Sequence, residues 1–344
     1  MTGLWVSFAW AGTLQVHVLD VGQGDAVFIQ APDGSHILVD AGKRDADLVP
    51  ILRAMGVDDL ELVVATHPHA DHIGGMEEVV RAFHVDLFLD NGMSHTTKTY
   101  TDLVDALDAR AIPHRKAERG ETFVYDDLTI TVLWPGPSML TDTRSDLNSN
   151  SVVLRLDHGK SCVLLTGDAE EPTERALLSG GLEQCDVLKV AHHGSNHSSS
   201  SAFLRAVDPD IALISCGQGN RYKHPGDDTT ARLASAGAAL YRTDAWGVLT
   251  VESTGRKIEV TDGVPVSADL GWLPREVTVG PIAARPPTPI ADTPEPSVEH
   301  ADTPNLSGVR PSSPSADETA AHRGPFWRIK QWFERRRARR SEVE

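Results

Sequence analysis

Three imidazoles and one carboxylate fall within six residues of the segment Thr66-His67-Pro68-His69-Ala70-Asp71-His72-Ile73-Gly74-Gly75. The segment follows the apolar run LELVVA, so the cluster stands where a strand ends and a tight turn begins. Imidazole and carboxylate are the ligands that suit Zn²⁺ and, with further oxygen donors, Mn²⁺ or Fe²⁺. Alternate residues at such a turn can face opposite ways, which lets His67 and His69 serve one cation while Asp71 and His72 serve a neighbour. The bland alternative is a chance cluster of surface histidines, and it has to explain why they crowd at a strand end.

Acidic and imidazole side chains recur where other apolar runs stop. Asp168 closes CVLLTGD, where one carboxylate at a sheet edge can bridge two cations. Read alone, it would equally well cap the helix-like AEEPTERALL. His192 and His193 close DVLKVAHHGS, and His224 follows IALISCG after a glycine-rich loop. One of the adjacent pair suffices as a ligand, and His224 by itself is a weak signal. Their shared position at strand ends separates them from His17, His36, His84, His95, His114 and His158, which read as structural or surface residues.

Residues that must converge from so many places need a layered scaffold. From Leu14 to about Val260, short β-branched runs alternate with helix-like stretches and turn signals, the pattern of α/β architecture. LQVHVLD, AVFIQAP and HILVDAG, and later LTITVLW to CVLLTGD, read as consecutive antiparallel strands with turns at Asp33-Gly34 and His158-Gly159. Two halves, each a sheet with covering helices, are expected to divide near residue 130 and to face each other within one domain, residues 1–262.

Beyond that domain the composition changes. Residues 263–325 hold APP, TPEP and PSSPS without periodicity and read as a disordered Pro-rich linker. Residues 326–344 form a basic, aromatic tail in which Phe326, Trp327, Ile329, Trp332 and Phe333 fall near one helical face. Such a helix suits an anionic membrane surface or a partner, and the competing expectation is a solvated, frayed end. The chain's net charge of −17 argues against broad affinity for duplex nucleic acid. Its three cysteines lack any CxxC spacing and are expected to be buried thiols. The apolar stretch Leu4 to Ala11 is short and lacks a basic flank, and no run approaches the roughly 18 to 20 apolar residues that span a bilayer. A cytoplasmic protein without a transmembrane segment is the default expectation.

HPHADHIGG matches the HxHxDH signature of the metallo-β-lactamase fold. The elements LDVGQGDAVFIQAPDGSHILVDAG, NSNSVVLRL, LLTGDAE, DVLKVAHHGS, KHP and YRTDAWG resemble the ComEC/Rec2-type branch, in the same order, over about Leu14 to Val260. The resemblance implies an αββα sandwich and a binuclear site. One metal would take His67, His69 and a histidine of HHGS, His193 in preference to His192, with Asp168 bridging. The second would take Asp71, His72 and His224. Asp40 of LVDAG matches an early Asp that supports the site by hydrogen bonding. Asp20, Gln23 and Asp25 of DVGQGD would line the substrate cleft. Many relatives outside the branch supply a ligand from a Gly-His-x-x-Gly element, but this chain has Asn148-Ser149-Asn150-Ser151, leaving Asn148 or Asn150 as a substrate contact.

What the resemblance implies chemically is hydrolysis by metal-bound hydroxide on two divalent ions, Zn²⁺ or Mn²⁺. Asp71 or Asp168 would orient the nucleophile, while Lys189, His192 or His197 would stabilise charge or protonate the leaving group. ComEC-type proteins take up DNA through a membrane channel, and their hydrolase-like part is thought to degrade one strand, so a phosphodiesterase or nuclease acting on DNA or a nucleotide is the leading expectation. Hydrolysis of a small-molecule ester, lactone or thioester is the alternative within enzymes. A non-catalytic metal-binding adaptor, recruiting a membrane or partner through the tail, is the alternative of another class.

Overall fold

The structure is a computed structural model that describes residues 12–262. The stretch Leu4 to Ala11, the linker 263–325 and the tail 326–344 lie outside the described residues.

The first sheet takes β1 (Leu14–Val18), β2 (Val27–Gln30), β3 (His36–Val39), β4 (Asp59–Val64), β5 (His84–Asp90) and β6 (His114–Lys116). The second takes β7 (Thr122–Tyr125), β8 (Leu128–Trp134), β9 (Val153–His158), β10 (Ser161–Leu165), β11 (Val187–Lys189), β12 (Ile211–Ile214) and β13 (Ala239–Arg242). Finally β14 (Leu249–Ser253) and β15 (Ile258–Asp262) return to the first sheet, whose order becomes β15-β14-β1-β2-β3-β4-β5-β6 beside β13-β12-β11-β10-β9-β8-β7. The change of sheet therefore falls between Lys116 and Thr122, not near residue 130. Tyr125 and Leu128 close a hairpin that belongs wholly to the second sheet, which places Ile130 inside a strand.

Periodicity explains the layers. In β8, LTITVLW, alternate residues Leu128, Ile130, Val132 and Trp134 are buried and those between are half-buried. Val16, Ile37 and Leu62 of one sheet share a core with Ile130, Leu154 and Val163 of the other. On the outer face of the first sheet, helices Leu48–Ala54, Met76–Ala82 and Lys98–Ala109 bury Leu52, Val79 and Leu107 against Leu60 and Phe88. Helices Glu171–Ser179, Ser201–Val207 and Asp227–Ala236 cover the second sheet with Leu177, Phe203 and Leu233. The result is an αββα sandwich, and strands covered on both faces, such as β10 and β12, are buried throughout.

Parallel pairing decides where chemistry can gather. β3 to β6 run parallel to one another, as do β10 to β13. Loops at the carboxyl ends of parallel strands are where α/β folds place their ligands. No helix among the described residues is long and apolar enough to cross a membrane.

The expectation of three thiols is corrected. Cys162 on β10 and Cys185 just before β11 are joined by a disulfide across 23 residues, and Cys216 remains a buried thiol. Parallel pairing sets Val163 opposite Val187, which brings Cys162, one residue ahead of the first, beside Cys185, two residues ahead of the second; no sequence spacing reveals that.

His17 on β1 gives the scaffold a defined acid sensitivity. Its ring stacks on Phe28 at 5.7 Å, and its Nδ1 lies 2.9 Å from Thr250 Oγ1. Burial lowers its pKa from 6.5 to about 4. The unfolded chain takes up this proton near pH 6.5 while the folded chain resists it. The linked stability is therefore complete above pH 6.5 and is lost as pH falls toward 4, by about 3 kcal/mol for a shift of this size. His17→Gln is expected to flatten the fall in melting temperature of chelator-treated protein between pH 6.5 and 4, and an unchanged slope would exclude His17 as its source.

Candidate metal centre

Four strands deliver the site. Asp40 follows β3, the segment Thr66 to His72 leaves β4, Asp168 and Glu170 leave β10, and His192 and His193 leave β11. After His67-Pro68-His69 the chain turns at once into the short helix Ala70–Ile73, which carries Asp71 and His72. Gly74 allows that helix to lie against the Lys43 and Arg44 backbone, where a Cβ would collide. Gly24 lies as closely against the Asp71 carbonyl, which also accepts the Asp25 N–H at 3.0 Å. The DVGQGD loop thus clamps the histidine motif from the opposite side.

Asp168, almost fully buried, stands at the meeting point. Its Oδ2 lies 3.8 Å from His67 Nε2 and 3.7 Å from His192 Nε2, whereas its Oδ1 lies 3.2 Å from His72 Nε2 and 3.7 Å from His193 Nε2. His67 Nε2 is 2.9 Å from His69 Nδ1, and His193 Nε2 is 3.6 Å from Asp71 Oδ2. Among the described residues four groups bring their ligand atoms within 4.8 Å of one another, and two of them share no residue, His67, His69 and Asp168 in one set and Asp71, His72 and His193 in the other. The remaining two, Asp25-Asp168-His193 and Asp25-Asp40-His72, draw on Asp25, which Lys189 already pairs. The buried Nε2 atoms of His72 and His193 and Oδ1 of Asp168 have no hydrogen-bond partner. Leaving such atoms unsatisfied is costly, and a divalent cation at their point of convergence would satisfy all three.

Each of three imidazoles is held from behind. His72 Nδ1 lies 2.7 Å from Asp40 Oδ2, and Asp40 also accepts the Thr66 N–H at 2.8 Å and the Thr66 hydroxyl at 2.7 Å. His193 Nδ1 lies 3.1 Å from the Ser215 carbonyl and 3.2 Å from Asp25 Oδ1. His67 Nδ1 meets the hydroxyls of Thr66 and Ser151 at 3.1 and 3.3 Å. With Nδ1 engaged, Nε2 is the atom each ring presents to Asp168. Asp25 is itself ion-paired with Lys189, a lysine sealed inside the protein.

Electrostatics follows from this crowding. Burial alone would raise the pKa of Asp168, yet His72, His192 and His193 hold it well below the carboxylate range. Burial opposes charge on Asp25 too, and Lys189 with His193 keeps it ionised. Against their own desolvation, His72 is held well above 6.5 by Asp168 and Asp40, and His193 is raised to about 9 by Asp168 and Asp25. Burial, with His72 adding to it, drives His67 well below 6.5. Protons on two imidazoles thus offset the buried carboxylates, and a cation bound there would take over that role and release them.

Several expected residues fall elsewhere. His193 faces Asp71 and His72, not His67 and His69. His192 and His193 both adopt left-handed backbone, with φ of 52° and 55°, which sends the two rings apart. His193 points inward, while His192 turns so that its Nδ1 lies 3.3 Å from Glu170 Oε1. His224, expected to complete the second set, lies outside both; its ring centre is 5.5 Å from that of His192 and 6.4 Å from that of His193. Burial, then these two rings, lower its pKa to about 4.

Asp25 lies behind His193 and does not line a cleft, and the burial of Lys189 removes it as a proton donor to substrate. Asn150 is fully buried and ties its own loop through Leu140 and Asp146, so it is no substrate contact. Asn148 does reach the site, with Nδ2 3.3 Å from Glu170 Oε1 and 3.4 Å from His192 Nδ1. Asp20 accepts the Gly22 N–H and Gln23 the Gly217 N–H, each holding loop backbone. Sequence reasoning missed Thr66, Ser151, Glu170 and Ser215. The only available signal was a polar residue adjoining a motif, as Thr66 adjoins His67 and Glu170 follows Asp168 by two.

Residues 19–218 match a family model described as the metallo-beta-lactamase superfamily. Recombination protein 2 of Haemophilus influenzae is 32% identical over 256 residues, a match covering 72% of this chain and 30% of that protein. Competence protein ComA of Neisseria gonorrhoeae is 34% identical over 239 residues, covering 68% and 31%. ComE operon protein 3 of Bacillus subtilis is 29% identical over 256 residues, covering 68% and 32%. The chain spans about a third of the length of these relatives. Among solved structures, the metallo-beta-lactamase fold protein YhfI of Bacillus subtilis is similar at 15% identity and a TM-score of 0.46, covering 69% of this chain and 99% of that one.

Proposed function

Because the chain belongs to the metallo-β-lactamase superfamily, we propose that its centre is a binuclear site that hydrolyses a phosphodiester in a DNA strand or a nucleotide. The observation that carries this is the bridging position of Asp168, one oxygen toward His67 and the other toward His72 and His193, with unpartnered nitrogens around it. His67, His69 and Asp168 would hold one ion and Asp71, His72, His193 and Asp168 the other. Two divalent ions, Zn²⁺ or Mn²⁺, supply Lewis acidity and make water nucleophilic near neutral pH. Relatives named for recombination and competence support nucleic acid over a small neutral ester.

The chain's own groups divide the remaining work. Asp71, a quarter exposed, is the one carboxylate of the two sets that reaches the open side and can orient the attacking water. His192 is also partly exposed, and Glu170 on its Nδ1 leaves Nε2 to give a proton to the departing oxygen. Asn148 braces the same Glu170.

Dialysed protein reloaded with Zn²⁺ or Mn²⁺ is expected to cleave bis-p-nitrophenyl phosphate and single-stranded DNA, and to stop on chelation. Two ions bound with lactones or thioesters cleaved and phosphodiesters untouched would transfer the activity to small molecules. Two ions bound with nothing cleaved would favour a metal-binding adaptor.

A further inference from the structure

A cavity of about 430 Å³ opens beside the metal centre and shares a wall with it. The shared residue is Glu170, which holds His192 on one side and receives Arg144 on the other, through Nε at 3.2 Å and Nη2 at 2.5 Å. With Arg144, Arg175 and Arg232 give the lining three guanidinium groups against two carboxylates, Glu170 and Glu171, and the exposed His197 stands beside them. In a chain of net charge −17 that local excess is unusual.

Two of the guanidinium groups lack a buried carboxylate partner. Arg232 has no ion pair among the described residues. It is fixed instead by donating Nε to the Ser199 carbonyl at 2.8 Å and Nη2 to the Ser198 carbonyl at 2.9 Å, the Thr229 hydroxyl at 2.8 Å and the Asn196 carbonyl at 3.3 Å, which leaves Nη1 as the nitrogen that can meet an anion. Its charge is therefore both uncompensated and held in place. Arg175 pairs with Glu171 at 2.7 Å, but both side chains are more than half exposed, and such a pair is worth at most about 1 kcal/mol. An anion can displace Glu171 at little cost. Planar, fixed guanidinium groups match phosphate oxygens, and the cavity lies within the roughly 300–1,000 Å³ of small-ligand sites.

We propose that this cavity is a phosphate subsite, which takes the phosphate neighbouring the scissile one along the same substrate. The proposal rests on the phosphodiesterase reading and deepens it: the preferred substrate carries at least two phosphates, as a strand or a terminally phosphorylated nucleotide does. A single diester fills only the metal centre.

The test is equilibrium binding of three dinucleotides, unphosphorylated, 5′-phosphorylated and 3′-phosphorylated, to chelator-treated protein, in which turnover is blocked. One phosphorylated form is expected to bind about tenfold or more tightly than the unphosphorylated one, as one or two charge-assisted hydrogen bonds allow. Arg175→Ala is expected to remove part of that advantage and Arg175→Ala with Arg232→Gln nearly all of it. Arg175 lies on an exposed helix face, so the single variant stays informative should the double variant fail to fold. No advantage in the wild type, or an advantage that survives Arg175→Ala undiminished, overturns the subsite. Cleavage of all three dinucleotides at equal rates by metal-loaded protein would discard the subsite and keep the phosphodiesterase; tighter binding without any cleavage would do the reverse.

Discussion

Asp168→Ala is expected to bind less than one metal ion per chain and to lose metal-dependent phosphodiester hydrolysis by on the order of 10³-fold, several kcal/mol of transition-state stabilisation. No other described carboxylate offers one oxygen to His67 and the other to both His72 and His193. Its removal takes away the ligand that the proposed site shares between both ions and leaves three buried imidazoles, His67, His72 and His193, facing a gap. Asp168→Asn keeps the shape and one neutral oxygen, so it should retain one ion more often than the alanine variant while remaining inactive. Elemental analysis beside turnover of bis-p-nitrophenyl phosphate checks both. Two ions retained by Asp168→Ala would show that the sets do not share a ligand, and undiminished turnover would remove the centre from catalysis.

Lys189→Met is expected to destabilise metal-free protein by about 3–5 kcal/mol, the usual cost of stripping one partner from a buried ion pair. Lys189 leaves the end of β11 in the second sheet and meets Asp25 in the loop after β1 of the first, both within the sealed interior. Without the lysine, Asp25 remains charged or takes a proton, and in either case its hold on His193 Nδ1 changes. The variant should therefore also weaken metal binding by about 10–100-fold, the range for lost support behind a ligand. Lys189→Met with Asp25→Asn removes both charges and is expected to recover most of the stability without recovering the metal affinity. Urea unfolding and competitive zinc titration separate the two effects. A loss under about 1 kcal/mol in the single variant would mean that Asp25 is not compensated by Lys189.

Much of this was legible from the chain alone. HPHADHIGG after an apolar strand announced metal ligands, and the recurrence of Asp168, His192 and His193 at strand ends announced where the rest would come from. LTITVLW to CVLLTGD read as consecutive antiparallel strands, and the hairpins at Asp33-Gly34 and His158-Gly159 are present as β2–β3 and β9–β10. What could not be read depends on backbone twist and distant pairing. The side to which His193 turns is set by two consecutive left-handed residues, a conformation non-glycine residues rarely reveal in sequence. Lys189 in DVLKVA looked like a strand-end cation near substrate, because nothing local to it discloses Asp25, 164 residues away. The pairing of Cys162 with Cys185 and the return of β14 to β1 are likewise consequences of which strands become neighbours.

The position of β1 between β2 and β14 has a consequence for biosynthesis. Gln15 and Glu252, hydrogen-bonded across that pair, are 237 residues apart. At roughly 5–20 residues per second, β1 waits some ten to fifty seconds on the ribosome with one edge open. An unpaired strand edge is a template for a neighbouring chain, so the growing polypeptide is more prone to cross-pairing than the finished one. His193, the last residue of the two ligand sets, emerges well before β14 begins. A cation captured by the nascent chain would therefore pin the two sheets together while β1 still lacks its second neighbour.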